Sequence, residues 1–201
     1  MRYAVFITIL TLSLTSCSNK ERMRVNLWNE FDRENHIKPT LSKAQFDSLA
    51  TWDLGWFLLE PINIIKDRSD DEIRVVKRFS PGQKALHFIW YMDGQVTNGG
   101  FIQFYLNDYG KYIPAIIEGL TLIGDSQMIA LVNKADSLYL EQKQLFDYQQ
   151  ERIEKEGWGN LYEDLKGFDL LDEQYYNSHA QMMSLLEKFA RNNMDDFGSF
   201  N

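Results

Sequence analysis

One cysteine, three histidines and four prolines are all that 201 residues contain, and each scarcity removes a class of answer. The cysteine is Cys17, so the chain beyond it has no disulfide framework, no thiolate nucleophile and no cysteine metal site. His36, His87 and His179 are scattered, and neither HExxH nor a paired-histidine spacing is present. GxSxG is missing, as is a phosphate-cradling glycine loop followed by Lys and Ser or Thr. Alternating strand patterns are nearly absent, and no apolar run reaches the ~20 residues that span a bilayer. The inventory therefore offers no metal, no cofactor and no catalytic motif. Paired carboxylates are recognised by separation in space rather than in sequence, so a cryptic envelope hydrolase remains an alternative.

What is present begins with an address. MRYAVFITILTLSLTSCSNK places Arg2 before an apolar run from Ala4 to Leu14, then small residues up to Cys17. That is the anatomy of a signal peptide, and Leu14-Thr15-Ser16-Cys17 resembles a bacterial lipobox, in which the cysteine is acylated and becomes the first mature residue. The expected division is a lipoprotein leader over 1–16, a polar tether over 17–24 and a single domain over 25–201. Lipidated Cys17 would hold that domain on a membrane of the bacterial envelope, on its periplasmic or surface face. Loss of the leader removes Arg2 alone among the charged residues, leaving 20 bases, 29 acids and a net charge of −9.

The apolar spacing of the mature chain is helical. Ile113, Ile116, Ile117 and Leu120 share a face, as do Met128, Leu131, Val132, Ala135, Leu138 and Tyr139, and later Met182, Leu185, Leu186 and Phe189. Phe46, Leu49, Trp52, Trp56 and Leu59 form a wider aromatic face, which reads as core. Ser80-Pro81-Gly82-Gln83 supplies an N-cap serine, a first-turn proline and a capping-box glutamine, and Ser42 with Gln45 repeats the box. Gly110, Gly124 and Gly157 follow periodic segments as stop signals. The prediction is an all-α, single-domain bundle of six or seven helices, with Ile73, Val75 and Phe79 in a short extended connection. His87 reads as a packed or surface helical residue rather than a catalyst.

VTNGGFIQFYLNDYG, residues 96–110, sets two glycines before a dense aromatic run. It reads as a helix break and restart, with Asn98 as a cap, Gly99-Gly100 making the turn, Phe101, Phe104 and Tyr105 pointing inward, and Gly110 left-handed at the end. Asn98 with Gln103 reads as satisfying helix ends rather than lining a site. The order Asn98, Gly99, Gly100, Phe101, Gln103, Asn107, Gly110, followed by Ala115 and the LTLIG segment of Leu120–Gly124, resembles the signature of the DNA-mimic protein family. The resemblance covers roughly 83–201. It implies a small acidic all-helical bacterial fold, and some relatives occupy the DNA-binding surface of a DNA-binding protein. The matching residues read as architectural.

Between Glu141 and Glu173 ten acids face four bases. Asp147, Glu151 and Glu154 share a helical face and are the candidate partner-binding residues. Their carboxylates recur every ~4.5–6 Å along the helix, against one charge every ~1.7 Å of duplex axis, so that stripe alone is too sparse to imitate DNA. A solvated face, with Glu151 supported by Lys155, is its plainer reading. Asp70-Asp71-Glu72 is offset by Lys66, Arg68 and Arg74. The sequence thus points to a lipid-anchored, non-enzymatic envelope protein that binds a protein partner through a partly acidic surface, without binding nucleic acid itself. A true DNA mimic is the second reading.

Overall fold

The computed structural model describes residues 27–63, 72–157, 159 and 161–201, with the side chains of 154 and 156 outside that set. The leader, Cys17, the tether and Asp70-Asp71 lie outside the described residues. Nine α-helices occur among the described residues: α1 Lys43–Ser48, α2 Thr51–Leu59, α3 Glu72–Val76, α4 Pro81–Leu106, α5 Ile113–Ile123, α6 Ser126–Glu141, α7 Lys143–Glu156, α8 Leu161–Asp164 and α9 Phe168–Asn192. The fold is the expected all-α bundle. The count exceeds six or seven because α1, α3 and α8 are single-turn pieces of four to six residues, too short to leave a period in the sequence.

Helix α4 is the axis of the molecule. Its start follows from its own first residues: Ser80 Oγ accepts from Gln83 N–H at 3.1 Å, and Gln83 Oε1 accepts from Ser80 N–H at 3.0 Å. Helices α5 and α9 pack along it, α6 lies against α5 and α9, and α2 lies against α9. Gly124 closes α5 in the left-handed conformation, and Asp125 caps α6 by accepting from Met128 N–H at 3.0 Å. The core is aromatic where α4, α6, α7 and α9 meet: the Tyr105 ring stacks on Tyr139 at 4.1 Å, with Phe146 and Phe168 edge-on to Tyr105. Phe101, Phe104 and Tyr105 are fully buried, as their spacing requires.

Two expectations fail here. Ile73 and Val75 lie in helix α3 rather than an extended piece, because one turn of helix brings Val76 into the core while Ile73 stays exposed. Trp52 and Trp56 do not fill the core; they are 47% and 42% exposed. The buried tryptophan beside them is Trp90 of α4, whose ring lies 4.3 Å from Trp52 and so close to Gly55 that a β-carbon there would sit 2.2 Å from it. Parallel strands β1 Thr40–Leu41 and β2 Ser199–Phe200 pair the start of the bundle with its end. Among the described residues no helix is long and apolar enough to cross a membrane.

Candidate functional site

Helix α4 breaks in its second half. Gly99 has φ −156°, ψ 27° and Gly100 φ 72°, ψ −179°, the latter a region that essentially only glycine occupies. In an unbroken helix Phe101 N–H would donate to Thr97 C=O; the break strands both groups beside a buried core. Helix α9 satisfies each. Asp172 Oδ1 accepts from Phe101 N–H at 2.8 Å, and Tyr176 OH donates to Thr97 C=O at 3.0 Å. Tyr162, from α8, donates to the second oxygen of Asp172 at 2.6 Å. A β-carbon on Gly100 would lie 2.2 Å from Asp172 Oδ2 and 2.4 Å from Tyr162 OH, so the glycine is fixed by space as well as by φ.

The motif residues close over the break as a chain of amides. Asn98 Nδ2 donates to Gln103 Oε1 at 2.9 Å, Gln103 Nε2 to Gln95 Oε1 at 3.1 Å, and Asn107 Nδ2 to the same Gln95 oxygen at 2.7 Å. Asn98 therefore bonds a side chain, and the expected Asn98 backbone cap is replaced by Asp172 from 71 residues away. Gly99 leaves room for this chain, since its β-carbon would fall 2.3 Å from Gln103 Oε1. The expectation for Gly110 is also corrected: the left-handed residue is Asp108, with φ 65°, while Gly110 makes room for the Tyr105 ring, 2.7 Å from where its β-carbon would be.

Two buried carboxyl clusters tie this helix to its neighbours. Asp93 is fully buried; its Oδ1 accepts from Tyr175 OH at 2.8 Å and lies 2.9 Å from His179 Nε2. Burial pushes the Asp93 carboxyl up, with Tyr175 and His179 opposing. Burial raises Asp172 as well, against the bonds from Tyr162 and Phe101. Further along, His87 Nε2 lies 3.4 Å from Glu72 Oε1, and Tyr112 OH donates to Glu72 Oε2. Burial lowers His87, as expected of a packed histidine. Burial works to raise Glu72, yet the bonds from His87 and Tyr112 outweigh it and hold that carboxyl low. These acids serve the fold. Among the described residues no group of three or more His, Cys, Asp or Glu is placed to hold a metal ion.

Beside the break lies an open groove. Asn98, Gly99 and Gly100 line it from α4, with Tyr162 and Tyr176 from α8 and α9. Asp169, Asp172, Glu173 and Asn177 complete the lining. Asp169, Asp172, Glu173, Tyr176 and Asn177 recur at i, i+3, i+4, i+7 and i+8, one face of α9. That period was the available sequence signal for these residues, and it was missed because the acids were weighed on α7 alone. There, Asp147 pairs with Lys143 at 2.9 Å and Glu151 is exposed. The Glu154 side chain lies outside the described residues. Asp164 is engaged by Gln149 at 2.8 Å and Arg152 at 3.4 Å. The structure does not bring Asp147 or Glu151 into the groove.

Residues 77–193 match a family model described as DMP19-like protein. The match contains the whole of α4 to α9 and leaves α1 to α3 outside it. No curated protein matches the chain.

Proposed function

Because the chain belongs to the DMP19-like protein family, we propose that it is a DNA-mimic-type protein that acts without catalysis, binding a protein partner through the partly acidic surface of α7 to α9 and held in the bacterial envelope by acylated Cys17. The observation that carries this reading is the sorting of the acids. Buried Asp93 on α4 and Asp172 on α9 are occupied in holding helices together, while Asp147, Glu151, Glu163, Asp169 and Glu173 lie exposed on α7 to α9. Exposed carboxylates set complementarity and steering for a basic partner more than they stabilise the fold.

The test has two parts. Fractionation of cells expressing the intact protein and a Cys17→Ser form, with protease accessibility, should find the first membrane-bound outside the cytoplasm and the second released. A soluble intracellular intact protein would refute the anchor. A captured partner should then be weakened by Asp147→Asn, Glu151→Gln and Glu154→Gln together; unchanged binding removes the α7 face from the surface. Family membership favours a second reading, true DNA mimicry, in which duplex DNA competes for the purified partner. Failure of DNA to compete would exclude it.

A further inference from the structure

The groove beside the α4 break has aromatic walls, acidic residues and no cationic side chain among its lining residues. We propose that it is a docking groove for an arginine side chain on a protein partner. The two tyrosine hydroxyls are already occupied, Tyr162 on Asp172 and Tyr176 on Thr97. These bonds hold the rings in place, while the two tyrosines remain 41% and 54% exposed. What the groove offers a guest is therefore aromatic faces rather than hydroxyl donors. Asp169 and Glu173, exposed on successive turns of α9 about 6 Å apart along its axis, supply the charge.

A guest that covers aromatic faces and answers carboxylates is a planar cation. Guanidinium stacks on rings and meets carboxylates with a fork of donors, whereas an ammonium is a compact, strongly hydrated point charge. Nucleic acid and anionic lipid are disfavoured by the same carboxylates. Only the source of the guest, a protein partner, rests on the function proposed above.

The test is a titration of the full-length protein in detergent micelles with the capped peptides acetyl-Gly-Arg-Gly-amide, acetyl-Gly-Lys-Gly-amide and acetyl-Gly-Gln-Gly-amide, read by NMR. The arginine peptide should give saturable shifts centred on the amides of Gly99, Gly100 and Asn177, bind at least about threefold more tightly than the lysine peptide, and leave the glutamine peptide without effect. The double variant Asp169→Asn/Glu173→Gln should weaken the arginine peptide at least about fivefold. Should that variant melt early, Glu173→Gln alone gives the same reading. Shifts spread over the whole surface, equal binding of the arginine and lysine peptides, or binding unchanged in the variants would overturn the proposal. Peptide binding without any captured partner leaves the groove standing and sinks the partner reading; a partner captured with no arginine response does the reverse.

Discussion

The two starts of helix α4 solve one problem in different ways. At Ser80 the N–H groups of Ser80 and Gln83 are met by each other's side chains, three positions apart, in a capping box, and Asp196 adds an acceptor for Gly82 N–H. At Phe101, where the helix restarts after the glycines, the free N–H is met by Asp172 from α9. The first start is a property of a segment, the second of the assembled bundle. A locally capped end can form before the rest of the fold, whereas the break at Gly99-Gly100 is stable only with α9 in place.

The largest way to break this contrast is Gly100→Ala. It places a β-carbon against Asp172 and Tyr162 at a backbone conformation alanine does not tolerate, so a loss of about 3 kcal/mol or more is expected in chemical denaturation. A variant as stable as the parent would show that the break is not strained. Asp172→Ala should follow at about 2–3 kcal/mol, since it leaves Phe101 N–H and Tyr162 OH unpaired; Asp172→Asn, which keeps an acceptor, should recover a good part of that. Equal losses for the two would deny the cap. Ser80→Ala should cost about 1–2 kcal/mol, because Ser80 Oγ also donates to Asp196 C=O.

The last effect is a slope with pH at the locally capped end. Lys84, in the first turn of α4, is buried and donates to Trp28 C=O at 2.8 Å and to Glu30 C=O. Burial lowers its pKa from 10.5 to about 8, with the Glu30 carboxylate opposing. Between those values the unfolded chain binds the proton that the native state releases, so stability relative to Lys84→Met should rise from pH 8 to 10.5. A flat difference over that range would place the lysine in water.

The same contrast explains what could be read in advance. Ser80-Pro81-Gly82-Gln83 announced a helix start because its partners are neighbours, and the spacing of α5, α6 and α9 announced their buried faces. The glycine pair announced a break. Its long-range hydrogen-bond partners were illegible, because nothing local links Phe101 to Asp172 or Thr97 to Tyr176. Asn98 looked like a cap since asparagine caps helices, and tertiary supply of an acceptor overrode the preference. Gly110 looked left-handed for a similar reason, yet the turn falls at Asp108 and Gly110 answers to the Tyr105 ring. Trp52 and Trp56 had the right spacing for a core, but Trp90 took the space over Gly55 and left them outside.

The short β1–β2 pairing gives the molecule two poles. It joins Thr40–Leu41 to Ser199–Phe200, close to the N-terminal turn of α4, where Ser80 and Gly82 meet Asp196. From Ser80 to Gly99 the helix runs about 28 Å at 1.5 Å per residue. Under the anchoring proposed above, pull would enter through the N-terminal segment at one pole, while the Gly99-Gly100 groove sits near the other. Force entering there would load the Lys84 bonds to Trp28 and Glu30 before the strand pair, and a guest at the far pole would be spared the strain.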